Sequence, residues 1–288
     1  MQIDIHTHSN ASDGTLTPVE LMHAASVAGL DVIGLTDHDT TVGWDAAVRE
    51  LPLLGRRIGL ARGAEISCRT DEHISVHLLG LLFDPSEPKL AMTLATTRDD
   101  RVPRMHAMIA KLNLAGIAVT FADVEQQLAT GATLGRPHLA DALIAFGVVK
   151  DREEAFDQFL NNDSSFYVSH ISPNPIEAIN LVNGAGGVSI LAHPGANARN
   201  DQISETAIAE IAAMAEAGLT ALEVDHRDHK PSIRNQLRGI AADLGLLVTG
   251  ASDFHGAGKL NFLGENQTSE TVWDQMVSRT SGLEVIFG

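Results

Sequence analysis

Imidazole and carboxylate side chains recur in this sequence in short clusters whose spacing suits cation binding. His6-Thr7-His8 is the first. On an extended strand residues i and i+2 share a face, so both imidazoles reach one cation at the strand end. Such a pair is weak by itself, because a chain with 13 histidines contains pairs by chance. Here it is joined by Asp13, Asp37-His38-Asp39, Glu65, His77, His193 and Asp253-Phe254-His255. Rich in imidazole and free of thiolate, this donor set suits manganese, zinc or iron and argues against magnesium alone. Each residue also has a plainer reading. A histidine on an apolar strand, such as His77, is ordinarily a satisfied core residue. Asp13, in Ser12-Asp13-Gly14, reads as a turn residue and Asp39 as a helix N-cap. The joint pattern outweighs these, because nearly all the clusters sit where an apolar run ends.

Those runs are the elements that must position the cluster. Gln2–Ile5 leads into His6, Val32–Leu35 into Thr36-Asp37-His38-Asp39, and Ile58–Ala64 into Glu65. Ile74–Phe83 contains His77. Gly187–Ala192 leads into His193-Pro194-Gly195, Ala221–Val224 into Asp225-His226, and Leu246–Thr249 towards Ser252-Asp253-Phe254-His255. Short, nearly continuous apolar runs are the pattern of parallel strands covered on both faces. Between them lie helical patterns. Thr17-Pro18-Val19-Glu20 is a capping box with proline at the first helical position, and the helix continues from Leu21 to Ala28 and stops at Gly29. Pro175–Val182, Glu205–Ala217 and Ser232–Leu244 repeat the theme. The alternation implies βαβ units, a parallel sheet and a closed or nearly closed α/β barrel, whose active site is built at the carboxyl ends of the strands.

From about Pro88 to Tyr167 the alternation breaks. Arg101–Leu114, Phe121–Ala129, Pro137–Phe146 and Arg152–Leu160 are helix-like, with no strand between them. The expected organisation is a barrel of residues 1–88 and 168–288 with a helical insertion, 89–167, capping its mouth. Ordinary outer barrel helices are the plainer alternative for part of it. The insertion carries candidate substrate contacts. Arg101 and Arg104 are three apart on one helical face. Gly135-Arg136-Pro137-His138 opens another helix, where an arginine beside free backbone N–H groups suits a phosphate.

Composition narrows the function. Among 288 residues, 37 acidic against 20 basic side chains give a formal net charge of −17. That disfavours a DNA coat or an anionic membrane surface as partner, yet permits an anionic substrate where bound cations invert the local sign. The single cysteine, Cys68, excludes an internal disulfide and reads as a buried spectator. No window approaches the roughly 18 apolar residues of a membrane span, so the expected location is cytoplasmic. The oligomeric state is not readable.

His6-Thr7-His8-Ser9, Ser12-Asp13-Gly14, Thr36-Asp37-His38-Asp39, Gly63-Ala64-Glu65, His77-Leu78-Leu79-Gly80, Ala192-His193-Pro194 and Ser252-Asp253-Phe254-His255 together resemble the ordered motifs of the PHP (polymerase and histidinol phosphatase) family of metal-dependent phosphoesterases, related to the amidohydrolases. The resemblance implies a distorted (β/α)7 barrel holding three divalent cations, most in keeping with Mn2+, with Zn2+, Fe2+ or Mg2+ as alternatives. It places His6, His8, Glu65 and Asp253 on the first cation, the bridging Glu65 with His77 and His193 on the second, and Asp13, His38 and His255 on the third. The short chain, its insertion and Gly-Arg-Pro-His resemble the subgroup of 3′,5′-nucleoside bisphosphate phosphatases, some of them 5′-to-3′ exoribonucleases.

The implied chemistry is phosphate-ester hydrolysis by water activated between cations, with no side-chain nucleophile. Glu65 and Asp253 are the expected catalytic carboxylates. His226, at a strand end and outside the expected ligands, reads equally as the acid for the leaving oxygen or as a substrate-positioning residue. The expected reaction is removal of the 3′-phosphate from a 3′,5′-bisphosphonucleotide, with Arg101, Arg104, Gly135, Arg136, His138 and His226 contacting the substrate. Trimming of short RNA and hydrolysis of histidinol phosphate are the alternatives within the chemistry. A metal-binding regulatory module without turnover is the alternative outside it.

Overall fold

All seven apolar runs form strands in the computed structural model, which describes residues 1–196, 198 and 201–288. In chain order the elements are β1 (Ile3–Thr7), α1 (Pro18–Ala28), β2 (Val32–Leu35), α2 (Trp44–Glu50), β3 (Gly59–Arg69), β4 (Ser75–Leu81), α3 (Pro88–Leu114), α4 (Phe121–Glu125), α5 (Arg136–Ala145), α6 (Arg152–Ala155), α7 (Pro175–Gly184), β5 (Val188–Ala192), α8 (Glu205–Glu216), β6 (Ala221–Asp225), α9 (Pro231–Leu244), β7 (Leu247–Gly250), α10 (Glu270–Val277) and β8 (Ile286–Phe287). The strands form one curled sheet in the order β1-β2-β3-β4-β5-β6-β7, with β8 added to β3. This is a distorted α/β barrel. Its β1–β7 seam is joined by few bonds. The His8 N–H donates to the Phe254 carbonyl (2.8 Å), and the Ser252 N–H donates to the buried Asp4 carboxylate (3.0 Å).

The expectation of an all-parallel sheet needs correction at β4. This strand runs antiparallel to both β3 and β5, while β1–β2, β2–β3, β5–β6 and β6–β7 are parallel. The cause is the connection. Residues 70–74 are too few for a crossover and form a hairpin turn, in which the Thr70 N–H donates to the Ile74 carbonyl and His73 takes a positive φ of 64°. Reversal has a chemical consequence. His77 lies near the start of its strand, yet it pairs with Ser67 near the end of β3 and so reaches the same rim as the other clusters.

Both faces of the sheet are buried, as nearly continuous apolar strands require. Leu60, Leu78 and Leu191 pack outward with Leu21, Ile179, Ile233 and Leu237 of the helices, while their neighbours Ala61, Leu79 and Ile190 join a second cluster with Trp273 and Met276. Helix α1 starts at the expected capping box and ends on Gly29 in the left-handed conformation. Residues of the insertion hold a third apolar cluster of their own, including Met108, Leu112, Leu139, Leu143 and Leu160. Helix α3 begins at Pro88 rather than Arg101, because Pro103 lies inside a continuous 27-residue helix instead of marking its first turn. No helix of the described residues is long and apolar enough to cross a membrane.

Candidate active site

The nine residues that the sequence singled out for cation binding come together at one rim of the barrel. Glu65 is the centre. It is fully buried, and its Oε1 lies 2.7 Å from His77 Nδ1 and 3.0 Å from His193 Nε2. Its Oε2 lies 3.1 Å from His8 Nε2, 3.1 Å from His38 Nδ1 and 3.3 Å from His6 Nε2. Five imidazoles thus face one carboxylate. Asp253 Oδ1 is 3.4 Å from both His6 Nε2 and His8 Nε2. On the far side His255 Nε2 is 3.3 Å from Asp13 Oδ1, and His38 Nε2 is 3.6 Å from Asp13 Oδ2. Three sets of ligand atoms are each mutually within 4.8 Å: His6, His8, Glu65 and Asp253; His38, Glu65 and His77; and His8, Asp13, His38 and His255.

Several strand ends adopt unusual backbone to bring this about. Asp39, His193 and Asp253 all have positive φ, at 52°, 31° and 52°, a conformation that costs a non-glycine residue on the order of 1 kcal/mol or more. The loop carrying Asp13 folds tightly onto β1. The Gly14 N–H donates to the Ser9 carbonyl, and a Cβ at Gly14 would lie 2.4 Å from the His8 carbonyl oxygen, so only glycine fits. Asp37 braces the same loop by accepting from the Ser9 N–H (2.8 Å), the Ser9 hydroxyl (2.7 Å) and the Ser12 hydroxyl (2.7 Å).

Comparison with known proteins places this geometry. Residues 4–132 match the PHP domain. A 3′,5′-nucleoside bisphosphate phosphatase of Chromobacterium violaceum is 34% identical over 89% of this chain and 88% of its own. The chain belongs to the PHP domain family. A 5′-3′ exoribonuclease of Escherichia coli is 31% identical over 88% of this chain and 84% of its own. The solved structure of a candidate metal-dependent phosphoesterase from Bifidobacterium adolescentis is 41% identical and superposes with a TM-score of 0.89, covering 97% of this chain and 96% of that one. The chain is accordingly a metal-dependent phosphoester hydrolase.

The donor chemistry of this PHP site fits divalent cations. Burial alone would raise the carboxyl of Glu65. His38, His77 and His6 outweigh it and hold the group well below the usual carboxylate range, and Asp13 and Asp253 behave likewise beside their histidines and Lys259. Ionised carboxylates are thus packed where water is excluded, an arrangement that needs positive charge among them. Glu65 Oε2 and His38 Nδ1 are buried and make no hydrogen bond, so their lone pairs are available to a cation. Other bonds fix which ring atom faces the site. Glu223 Oε1 takes His6 Nδ1 at 2.9 Å, and the Asp253 carbonyl takes His255 Nδ1 at 2.9 Å, so both rings turn Nε2 inward.

Glu223, Asp4 and Lys259 were not singled out by sequence reasoning. Glu223 also accepts from the His193 backbone N–H (2.8 Å) and so braces ligand-type residues from two strands. Opposed by burial, His6 still pulls its carboxyl down to about 2. A charged residue inside an otherwise apolar strand was the available signal for both Glu223 and Asp4. Lys259 Nζ lies 2.5 Å from Asp253 Oδ2; it stands in a loop beyond the strand end, where no periodicity marks it.

The expected substrate contacts are placed unevenly. His226 is buried at the rim, with Nε2 3.5 Å from Asp253 Oδ2. Arg101 turns to the protein. It donates to Asp39 Oδ2 from Nε (3.1 Å) and Nη2 (2.5 Å), to the Ser67 hydroxyl (2.8 Å) and to the Leu134 carbonyl (3.0 Å). Asp39 is therefore not a helix N-cap, a position held by Gly43; its side chain accepts from Ser67 and Arg101 instead. Arg104 Nε donates to the Val168 carbonyl, and Arg136 Nη1 donates to the Leu160 carbonyl and to Asn162 Oδ1. The Gly135 N–H donates to Nδ1 of the buried His138 (3.0 Å), so the ring turns back onto the start of its own helix. Cys68 is buried, with its thiol pushed up by burial and by Asp39.

Proposed function

We propose that the chain removes the 3′-phosphate of 3′,5′-bisphosphonucleotides, such as adenosine 3′,5′-bisphosphate, to give 5′-mononucleotides. The observation that carries this reading is the convergence of five imidazoles on the buried Glu65 beside an insertion whose Arg101 holds Asp39, next to His38, and whose Arg152 donates to the Asp13 carbonyl. The name of the Chromobacterium violaceum relative supports the substrate class. In this reading residues 89–167 act as a cap over the barrel formed by 1–88 and 168–288.

Three cations, Mn2+ most in keeping with the imidazole-rich set, would be held by His6, His8, Glu65 and Asp253, by Glu65, His77 and His193, and by Asp13, His38 and His255. When bound, they supply positive charge to the phosphoryl oxygens and bring the pKa of water towards neutrality. The protein's own groups do the rest. Glu65 and Asp253 hold the reacting centre together. Burial opposes charge on His226, but Asp253 and Glu223 raise its pKa above the usual imidazole value. In this reading it is the group that gives a proton to the leaving 3′-oxygen. Arg104, Gly135, Arg136 and His138 approach the nucleotide from the cap, and Arg101 shapes the strand end through Asp39.

The name of the Escherichia coli relative supports a second reading, stepwise 5′-to-3′ hydrolysis of short RNA at the same centre. One panel tests both. Purified protein stripped with a chelator and resupplied with Mn2+ is expected to release phosphate fastest from adenosine 3′,5′-bisphosphate, and to release none while stripped. A higher kcat/KM for histidinol phosphate overturns the nucleotide assignment. Faster release of mononucleotides from a 5′-phosphorylated oligoribonucleotide moves the chain to the exonuclease reading.

A further inference from the structure

Helix α6 of the insertion opens on Arg152, whose guanidinium reaches back to the barrel. Its Nε and Nη2 donate to the two carboxylate oxygens of Asp141 on α5, at 2.7 Å and 2.6 Å. Its Nη1 donates to the backbone carbonyl of Asp13 at 3.2 Å, across 139 positions of sequence. The same nitrogen sits against Gly258, in the short turn Gly256–Gly258 that follows His255. A Cβ at Gly258 would fall inside contact distance of Nη1 and would lie 3.7 Å from the Cβ of His255, so this glycine leaves the room that the guanidinium occupies. One side chain of the insertion therefore touches both loops that present Asp13 and His255.

Those loops also hold each other. The Thr15 N–H donates to the His255 carbonyl (3.0 Å), and the Ala257 N–H donates to the Thr15 hydroxyl (2.8 Å). Beside them the Thr133 N–H of the insertion donates to the Ala11 carbonyl (2.8 Å). Arg152 closes this arrangement from outside. Burial works against its charge, but Asp141 and then Asp13 outweigh burial and raise its pKa. A bare guanidinium would repel a nearby cation, and the two-pronged pair with Asp141 cancels that charge. What the side chain contributes is geometry, a planar fork that fixes two loops at once.

We propose that Arg152 is a positioning residue for the cation held by Asp13, His38 and His255, so that docking of the insertion on the barrel completes this one position. The inference rests on the three-cation reading above and adds a dependence: the insertion governs one cation and not the two that share Glu65. The difference lies in what holds the ligands. Glu65 and His77 pair within β3 and β4, and His193 follows Ala192, which pairs with His77, so the sheet itself sets their register. Asp13 and His255 stand on loops, where the fork of Arg152 takes the place of a ladder.

The test is a Mn2+ titration of chelator-stripped protein, with free Mn2+ followed by its paramagnetic resonance signal. The wild-type protein is expected to bind three cations. Arg152→Gln is expected to weaken one of them by about 10–100-fold, the usual effect of removing a group that orients a ligand, and to leave the other two at wild-type affinity. Gly258→Ala reaches the same contact from the barrel side. Its added methyl displaces the flexible tip of Arg152 rather than backbone, and it is expected to weaken the same cation to a smaller extent. Affinities unchanged in both variants overturn the proposal, even where the unfolding midpoint falls, because the Arg152–Asp141 pair then only packs the insertion onto the barrel. Equal weakening of all three cations also overturns it, as does an unfolded Arg152→Gln combined with wild-type affinities in Gly258→Ala. Two or fewer cations in the wild-type protein remove the three-cation reading instead, whereas three cations without phosphate release remove the phosphatase reading and leave the role of Arg152 standing.

Discussion

Glu65→Gln is expected to reduce phosphate release by at least about 10,000-fold in kcat, equivalent to roughly 5.5 kcal/mol of barrier. The substitution keeps the size and shape of the side chain, so packing around it is preserved. What changes is the donor set. A carboxylate that faces His77 and His193 through one oxygen, and His6, His8 and His38 through the other, becomes a neutral amide. One of its two acceptor oxygens becomes an NH2 group that points hydrogens at ring nitrogens. Both proposed cation positions that share Glu65 are affected together, whereas the Asp13, His38 and His255 position is not. Elemental analysis of the variant is therefore expected to show partial rather than complete loss of metal. Wild-type metal content with normal turnover would show that the buried carboxylate has no part in cation binding.

The second large effect falls on stability. Arg101→Ala is expected to destabilise the fold by about 3–5 kcal/mol, the usual consequence of leaving one member of a buried ion pair alone. Asp39 is fully buried, and Arg101 is 6% exposed. With the guanidinium removed, the Asp39 carboxylate keeps, among the described residues, the Ser67 N–H and hydroxyl as partners. The same side chain also holds the Leu134 carbonyl, so helix α3, the start of α5 and the strand end beside His38 lose their common anchor. Denaturant unfolding of Arg101→Ala, Asp39→Asn and the double variant gives the coupling directly. The double variant is expected to be clearly less destabilised than the sum of the singles. Additive effects, or a single-variant loss below about 1 kcal/mol, would assign the pair a surface-like role.

These two residues also show which parts of the site were legible from the sequence. His6 and His8 were readable because their relation is local: two residues on one strand share a face whatever the rest of the chain does. The strand ends were readable because uninterrupted apolar runs stop at polar clusters, and a barrel gathers such ends. The direction of β4 was hidden, since an apolar run looks the same from either end and only the five-residue connection at 70–74 distinguishes a hairpin from a crossover. The role of Asp39 was hidden for a different reason. Its partner Arg101 lies 62 positions away, on a helix whose true start at Pro88 is masked by Pro103. The second partner group, on Ser67, belongs to yet another strand. Glu223 left a trace as a lone carboxylate in an apolar strand, but its bond to His6 spans 217 positions and no local pattern encodes it. Side chains that act through long-range bonds become visible only once the strands are in register.

The account depends above all on cations lying among these nine side chains. Anomalous diffraction at the manganese edge, from crystals grown with MnCl2, tests this most directly. The expected result is three peaks: one among His6, His8, Glu65 and Asp253, one among Glu65, His77 and His193, and one among Asp13, His38 and His255. A protein that hydrolyses phosphate esters in the same MnCl2 while its map shows no peak within coordination distance of Glu65 would contradict the account.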